Sequence, residues 1–282
     1  MMQISPIDAV IGAEVTGLDL VQNVDVRSIE KLNLALLERQ LLCIRDQDLD
    51  PNSFALAAQI FGEPQEQFLA DYRLDEDPRV TVISNYNRMG GSKPHVRATH
   101  WHTDDSYLAK PAKMTMLFAK ALPSEGAVTE FINTIAVLDA MSAELRQGIE
   151  DRRAVHKYLS RRNVAKVAIR TAEEEAMTPD VSHPLVRTHP ETGRAALYIN
   201  PNRIDRVEGM SAKASDDLLD ELYGFAFQES FNTIMPGSPA IWSSGTTAPP
   251  CIAPARTSIS ASGASFTEFC LGAMCRNNGT IS

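Results

Sequence analysis

The pair His102 and Asp104, within the run Trp101-His102-Thr103-Asp104, has the residue types and spacing of half a metal site. On an extended strand, residues two apart point to the same face, so both side chains could reach one ion. Imidazole and carboxylate suit iron(II), and a site of two histidines and one carboxylate leaves positions open for a co-substrate and oxygen. The second histidine of such a site is normally far downstream, but no histidine follows His189 here. By itself a His-x-Asp pair is more typical of a surface histidine beside a turn.

Composition places the chain among ordinary globular proteins. It has 282 residues, of which 44% are hydrophobic and 22% charged, enough to bury a sizeable core. The formal net charge of −9 argues against a nucleic-acid partner, because no basic stripe is present to neutralise phosphates. The four cysteines, Cys43, Cys251, Cys270 and Cys275, form no C-x-x-C pair, which disfavours a zinc ribbon or a redox motif.

The amino terminus has neither a basic segment nor an apolar segment of the kind found in signal peptides. No apolar run approaches the length of a membrane span, so we expect a cytoplasmic protein without a membrane partner. The sequence leaves a homo-oligomer open.

The hydrophobic pattern predicts short strands in the middle of the chain with helices around them. Five helices are predicted. Four of them start after Asp25, at Asp50-Pro51, at Ser142, and at Ser211 or Ser215, and the fifth occupies part of the charged segment 161–180. The predicted strands are 41–44, 80–85, 114–121, 128–131, 195–200 and the apolar end of 234–242. This order indicates a mainly β fold with flanking helices, a β-sandwich or jelly roll, and not a regular βαβ alternation. No glycine-rich nucleotide-binding motif is present.

Several motifs, in this order, are shared with one known family. They are Ile11-Gly12-Ala13-Glu14-Val15-Thr16-Gly17-Leu18-Asp19-Leu20, Arg45-Asp46-Gln47, Phe61-Gly62-Glu63, Trp101-His102-Thr103-Asp104, Leu122-Pro123-Ser124-Glu125-Gly126 with Thr129, His183-Pro184-Leu185-Val186-Arg187-Thr188-His189-Pro190 with Gly193 and Asn200, and Pro236-Gly237 with Ile241-Trp242. From about residue 4 to residue 242 the chain resembles the taurine dioxygenase and 2,4-dichlorophenoxyacetate dioxygenase (TauD/TfdA) family of iron(II)/2-oxoglutarate enzymes.

The resemblance implies a double-stranded β-helix, a cupin-like jelly roll, that holds iron(II) with two histidines and one carboxylate. His102 and Asp104 match the proximal histidine and the carboxylate, and they would be the catalytic metal ligands. Thr129 matches a threonine that hydrogen-bonds 2-oxoglutarate, although a β-branched strand residue would explain it as well. The reaction would use 2-oxoglutarate and O2, release succinate and carbon dioxide, and hydroxylate a small organic acid.

The resemblance also suggests an anionic substrate, such as a sulfonate, an alkyl sulfate or an aryloxyalkanoate. Arg97 and Lys93, in the basic glycine-rich loop before the metal pair, could steer such an anion. Taurine itself is disfavoured, because Arg97 and Ala98 occupy the region where taurine enzymes carry an asparagine. His100 and Asn85 are further candidate substrate contacts.

The remaining histidines are not expected to bind metal. His95 lies in the basic loop and could contact substrate, as His100 could. His183 and His189 fall in a motif that we expect to be structural, and we expect His156 at the surface.

After Trp242 the chain departs from the family pattern. Residues 243–282 are rich in serine, threonine, alanine, glycine and cysteine, and their charged side chains are Arg256, Glu268 and Arg276. The family pattern continues here with the distal histidine and with arginines. One of these arginines binds the far carboxylate of 2-oxoglutarate in a bidentate contact, which lysine makes poorly. We therefore expect a dioxygenase domain at 1–242 and an aberrant tail at 243–282 that disrupts the last strands.

A shift of reading frame just after Trp242 would explain this tail. Read one nucleotide ahead of each codon, Pro250-Cys251-Ile252-Ala253 can become Met-His-Arg. In the same frame the codons of residues 262–268 can become Val-Arg-Arg-Val-Val-His-Arg. One frame thus supplies the missing histidine and the arginines in the family's order. The chain as written is then expected to bind iron poorly and to turn over little.

Two other functions stay open. A non-catalytic binding or scaffold protein could have kept the fold and lost the site, and iron binding together with succinate formation would separate it from an enzyme. A hydrolase using His102, Asp104 and His100 would need zinc or manganese and no 2-oxoglutarate.

Overall fold

A computed structural model of the chain describes residues 1–9, 11–84, 100–121, 128–165, 167–236, 240–245, 251–252 and 267–271. The strands are β1 (Gln3–Pro6), β2 (Ala13–Thr16), β3 (Leu41–Arg45), β4 (Val80–Ser84), β5 (Met114–Ala121), β6 (Val128–Asn133), β7 (Arg153–His156), β8 (Val181–Pro184), β9 (Val186–Thr188), β10 (Ala195–Leu197), β11 (Ile204–Val207), β12 (Asn232–Pro236), β13 (Ala240–Gly245), β14 (Cys251–Ile252) and β15 (Thr267–Leu271). The helices are α1 (Val26–Arg39), α2 (Pro51–Ala58), α3 (Thr134–Asp139), α4 (Ala143–Ile149), α5 (Ala172–Ala176) and α6 (Ala212–Ala226). None of these helices is long and apolar enough to cross a membrane.

The largest sheet has seven strands in the order β1-β2-β3-β13-β5-β15-β4. Only β2 and β3 run parallel in it, and the other neighbours are antiparallel. Helices α1 and α2 pack on this sheet through a core that includes Leu32, Ile44, Phe54 and Phe118. The rings of Phe54 and Phe118 lie 5.9 Å apart.

A three-stranded antiparallel sheet, β12-β6-β14, lies against the large one. One contact between the two sheets is a small buried cluster in which Phe131 of β6 packs with Leu41 and Cys43 of β3. A second three-stranded sheet, β11-β7-β8, and the hairpin β9-β10 form another core with α3 and α6, which includes Leu197, Ile199 and Leu219. The chain is thus a mixture of sheets and helices.

Most predicted elements are confirmed, because capping residues and apolar spacing agree at their ends. Asp25 and Asp50 cap α1 and α2, and Ser142 caps α4. Strand β5 has the predicted bounds. The predicted strand 195–200 ends earlier, at Leu197.

Some elements were not predicted. Strands β1 and β2, helix α3, and strands β7, β8, β9 and β11 are short, and their apolar residues are too few to set a clear period. Strand β13 crosses the expected domain boundary at Trp242, since Ser243 and Ser244 still pair with β3 and β5. The predicted disruption of the last strands stays a prediction.

Ser211, of the two predicted start residues, caps α6. Its side chain accepts a hydrogen bond from the backbone N–H of Ala214, whereas Ser215 lies inside the helix and its hydroxyl accepts from the N–H of Val207. We expect Ser211→Ala to lower the free energy of unfolding by about 1 kcal/mol, because one N–H at the helix start loses its partner. Urea unfolding measures this, and Ser211→Asp, which keeps a capping oxygen, should unfold near the wild type. A loss of equal size in both variants would contradict the assignment of the cap.

Candidate metal site

His102 and Asp104 lie on a loop and not on a strand. The segment from Trp101 to Thr103 has no regular structure, and a turn follows it. The assumption that strand geometry brings the two side chains together was therefore wrong. They are nevertheless adjacent: the Nε2 atom of His102 is 3.6 Å from the Oδ1 atom of Asp104, and both side chains are partly exposed.

The hydrogen bond of His102 fixes which ring nitrogen is free. Its Nδ1 atom lies 2.9 Å from the backbone carbonyl oxygen of His100. A carbonyl oxygen can only accept, so Nδ1 carries the hydrogen, and in the neutral form of the ring the lone pair is on Nε2, the atom that faces Asp104. Histidines that bind metals commonly donate their other N–H to a carbonyl in this way.

A second hydrogen bond orients the carboxylate. The hydroxyl of Thr115, a buried residue on β5, donates to the Oδ2 atom of Asp104 at 2.8 Å. One carboxylate oxygen is therefore held, and Oδ1 is left facing His102.

This arrangement fits a metal cation. Two acceptor atoms, Nε2 of His102 and Oδ1 of Asp104, face each other at 3.6 Å, which is too long for a hydrogen bond. His102 and Asp104 would hold such a cation through these two atoms, since imidazole nitrogen and carboxylate oxygen both suit iron(II). Within the described part of the chain, no group of three or more histidine, cysteine, aspartate or glutamate side chains is arranged to hold a metal. Among the described residues, His102 and Asp104 are thus two candidate ligands without a third beside them.

Residues from other elements hold the loop around the pair. The amide of Asn200 donates to the carbonyl oxygen of Thr103 at 2.7 Å and to the hydroxyl of Ser106 at 2.9 Å. His183, on β8, binds the carbonyl oxygen of Leu108 through Nε2 at 3.0 Å. The loop is therefore fixed from the outside by side chains.

Charges beside the pair are partly balanced. Burial, followed by the negative charge of Asp104, raises the pKa of Asp105 to about 6, while a hydrogen bond from the Tyr107 hydroxyl at 3.2 Å lowers it. The guanidinium of Arg203 lies over the rings of Tyr107 and Tyr158, at 4.9 and 4.8 Å. Burial lowers the pKa of Arg203 below its usual value. The interactions of Arg203 with both tyrosines and both aspartates act in the opposite direction and do not cancel this effect.

The other candidate residues are spread through the chain. His100 is exposed and lies two residues before His102. Its backbone carbonyl oxygen accepts the hydrogen bond from Nδ1 of His102. Thr129 is partly exposed on β6, opposite Met235 of β12. Asn85, Lys93, His95 and Arg97 lie outside the described residues.

His156 is not at the surface, and that prediction was wrong. The side chain is fully buried in the sheet β11-β7-β8, where its ring contacts those of His183 and Tyr198, with centroids 5.1 and 5.5 Å away. Burial, then His183 and then Arg187 hold the pKa of His156 well below its usual value. The two apolar residues before His156 gave only a weak signal for burial, because a lysine follows directly.

His183 and His189 are buried and make structural contacts, as the motif containing them predicts. The Nδ1 atom of His189 accepts hydrogen bonds from the backbone N–H groups of Glu191 and Thr192, at 3.1 and 3.2 Å. Sequence reasoning missed Thr115, since nothing local marks a buried threonine on a strand as a partner of Asp104. Asn200 was noted only as a family marker, although a polar residue at the end of the apolar predicted strand 195–200 could have drawn attention to it.

Thr115→Val tests how Asp104 is held. Without the hydroxyl, one hydrogen bond to a charged group is lost, and we expect the affinity for Mn(II) to fall by about tenfold. Titration monitored by electron paramagnetic resonance of free Mn(II) measures this affinity. Thr115→Ser, which keeps the hydroxyl, should restore binding, and an equal loss in both variants would point to packing instead.

Comparison with known proteins identifies the family of this chain. The family described as "Taurine catabolism dioxygenase TauD, TfdA family" matches residues 3–236. A (S)-phenoxypropionate/alpha-ketoglutarate-dioxygenase of Sphingobium herbicidovorans is 29% identical over 85% of this chain and 85% of its own length. The alpha-ketoglutarate-dependent 2,4-dichlorophenoxyacetate dioxygenase of Cupriavidus pinatubonensis is 30% identical over 80% of this chain and 83% of its own.

Solved structures match the fold. A taurine dioxygenase from Burkholderia xenovorans superposes with a TM-score of 0.80 at 25% identity, covering 98% of this chain and 91% of its own. The structure of AAD-2 in complex with Mn(II) and N-oxalylglycine also gives 0.80, at 23% identity, over 98% of each chain. The match of the family over most of the sequence, together with these relatives, shows that the chain belongs to the TauD/TfdA family of alpha-ketoglutarate-dependent dioxygenases.

Proposed function

We propose that this chain derives from an iron(II)- and 2-oxoglutarate-dependent dioxygenase that hydroxylates a small organic acid. The observation that carries the proposal is the facing pair of acceptors on His102 and Asp104, each held by a hydrogen bond on its other side. The family membership supports the co-substrate, since alpha-ketoglutarate in the relatives' names is another name for 2-oxoglutarate.

Each residue has a defined task in this proposal. His102 supplies a neutral imidazole nitrogen and Asp104 one carboxylate oxygen to the metal. Thr129 binds a carboxylate of 2-oxoglutarate from β6. A bound iron(II) would supply the redox chemistry that joins oxygen activation to decarboxylation. His100 and, in the residues outside the described part, Arg97 and Asn85 are the proposed substrate contacts.

The fold proposed for this domain is the double-stranded β-helix. The packing of Phe131 against Leu41 and Cys43 supports it, because this cluster joins β6 of the three-stranded sheet to β3 of the seven-stranded sheet. Two facing sheets are what a jelly roll requires. Residues 101–113, which include His102 and Asp104 and are called the metal loop, directly precede β5 of the larger sheet.

The proposed substrate is an anion of the sulfonate, alkyl sulfate or aryloxyalkanoate type. Relatives act on such compounds: besides the phenoxypropionate and dichlorophenoxyacetate enzymes, a Pseudomonas putida relative at 27% identity is an alpha-ketoglutarate-dependent sulfate ester dioxygenase. A cytoplasmic location stays a prediction from the sequence.

We also propose that residues 243–282 come from a shifted reading frame and replace the segment with the distal histidine and the arginines. The family match ends at residue 236, just before the change in composition, which supports this boundary. Strand β14, whose codons would encode the histidine, pairs with β6, the strand that carries Thr129. The coding DNA tests this idea: a neighbouring frame without histidine and paired arginine codons over this stretch would refute it.

The dioxygenase proposal is tested by measuring succinate formed from 2-oxoglutarate in the presence of iron(II). The assay is repeated with a panel of sulfonates, alkyl sulfates and aryloxyalkanoates. We expect weak, iron-dependent succinate formation by the chain as written. Succinate formation that His102→Ala leaves unchanged would contradict the assigned site.

A scaffold protein that kept the fold is the second candidate. It is favoured by the presence of two, and not three, metal ligands in the described part of the chain. It predicts binding of neither iron nor 2-oxoglutarate, and calorimetric titration with both separates it from an impaired enzyme.

A further inference from the structure

Asn200 is a buried polar residue that connects two parts of the fold. It lies three residues after the end of β10 and directly after Ile199, which belongs to the core formed with α3 and α6, and none of its surface is exposed. Its side chain reaches across to the metal loop, where it binds the backbone of Thr103 and the hydroxyl of Ser106. Thr103 is the residue between the two proposed metal ligands.

The orientation of this amide follows from its partners. On one side lies the carbonyl oxygen of Thr103, which can only accept, so the Nδ2 atom of Asn200 must face it. On the other side the backbone N–H of Asn202 donates to Oδ1 at 3.1 Å. The amide group thus uses both hydrogens of Nδ2 and one acceptor position of Oδ1 in directions that its neighbours dictate.

Asn200 is itself firmly placed. Its carbonyl oxygen accepts hydrogen bonds from the backbone N–H groups of Arg203 and Ile204, at 3.1 and 2.9 Å, in the turn that leads to β11. The metal loop, by contrast, has no regular structure of its own at Thr103. A hydrogen-bonded turn therefore holds an irregular segment, and a shift of the Thr103 carbonyl would move His102 and Asp104 relative to each other.

We propose that Asn200 is a positioning residue that sets the separation of the two metal ligands through the backbone of Thr103. This inference rests on the proposed metal site, but its local effect on the loop does not need the metal. Partners beyond the ligands themselves typically change metal affinity by about 10–100-fold.

The test compares Asn200→Leu with Ser215→Ala in the full chain. Asn200→Leu keeps the approximate size of the side chain and removes its hydrogen bonds. Ser215 is also fully buried in this part of the fold, and its hydroxyl accepts one hydrogen bond, from the N–H of Val207, far from the metal loop in sequence. It therefore serves as a control for general loss of stability. Asn200→Asp keeps the acceptor for Asn202 and is the second variant in case Asn200→Leu does not fold.

Hydrogen exchange of the peptide covering residues 102–108, followed by mass spectrometry, is the first readout. We expect exchange to be about tenfold faster in Asn200→Leu or Asn200→Asp than in Ser215→Ala. In Ser215→Ala the loop must still break the hydrogen bonds from the Asn200 amide in order to open, whereas the Asn200 variants have lost them. Equal rates in the Asn200 variants and Ser215→Ala would overturn the proposal, whatever the metal does.

Mn(II) affinity is the second readout, with His102→Ala as reference. A loss of about 10–100-fold in Asn200→Leu, with Ser215→Ala at the wild-type value, is the expected result. If the wild type and His102→Ala bind Mn(II) equally, the proposed metal site is refuted. The exchange rates alone then decide whether Asn200 positions the loop. If His102 matters and Asn200→Leu matches Ser215→Ala, the positioning role is refuted and the metal site stands.

Discussion

Restoring the neighbouring reading frame after Trp242 should raise 2-oxoglutarate turnover at least about 100-fold over that of the 282-residue chain. Loss of outer partners of a metal site already costs about 10–100-fold, and here a ligand itself is missing. The restored segment would supply a histidine on or near β14 and arginines downstream. Succinate release with iron(II), measured for both proteins at equal concentration, gives the ratio.

The control for this comparison is His102→Ala in the restored chain. It should abolish the gain, because the metal would then be left with one histidine and Asp104. A 282-residue chain that is as fast as the restored one would show that the tail does not impair the site.

Acidification should destabilise the protein steeply below about pH 6.5, through His156 and His183. Burial is the first cause that lowers the pKa of both, and the charge of Arg187 acts on both in the same direction. The folded protein therefore binds fewer protons than the unfolded chain below the usual histidine pKa. Stability is fully present above that pH and is lost as the pH falls toward the folded values. Each histidine contributes up to about 1.4 kcal/mol per pH unit. Asp105, whose pKa is raised to about 6, acts in the opposite direction below that pH and offsets part of the loss.

Urea unfolding at pH 7.5, 6.5 and 5.5 measures this loss, and His156→Phe should make it shallower because the buried ring no longer titrates. Parallel loss of stability in wild type and His156→Phe would rule out His156 as a source.

Much of the fold could be predicted from local signals. Asp25, Asp50 and Ser142 mark helix starts because a short polar side chain satisfies N–H groups that the helix leaves free. The apolar run of β5 predicts a buried strand with the observed ends. The order of strands in the seven-stranded sheet could not be predicted, since pairings such as β13 with β3 and β5 join residues far apart in sequence.

The candidate site was predicted in part. His102 and Asp104 carry a spacing that points to a metal, but the loop geometry, and not a strand, brings them together. Thr115 and Asn200 could not be assigned their contacts from sequence, because each reaches the loop from another element. His156 was misplaced, since one histidine on a short strand has no periodicity to show which face it occupies.

Titration of the 282-residue chain with Mn(II), beside its His102→Ala variant, tests the central claim most directly. The claim is that His102 and Asp104 are true metal ligands that lack their distal partner. It predicts weak binding of one Mn(II) ion by the wild type and loss of that binding in the variant. Equal binding by both proteins would contradict it, because the metal would then not use this pair.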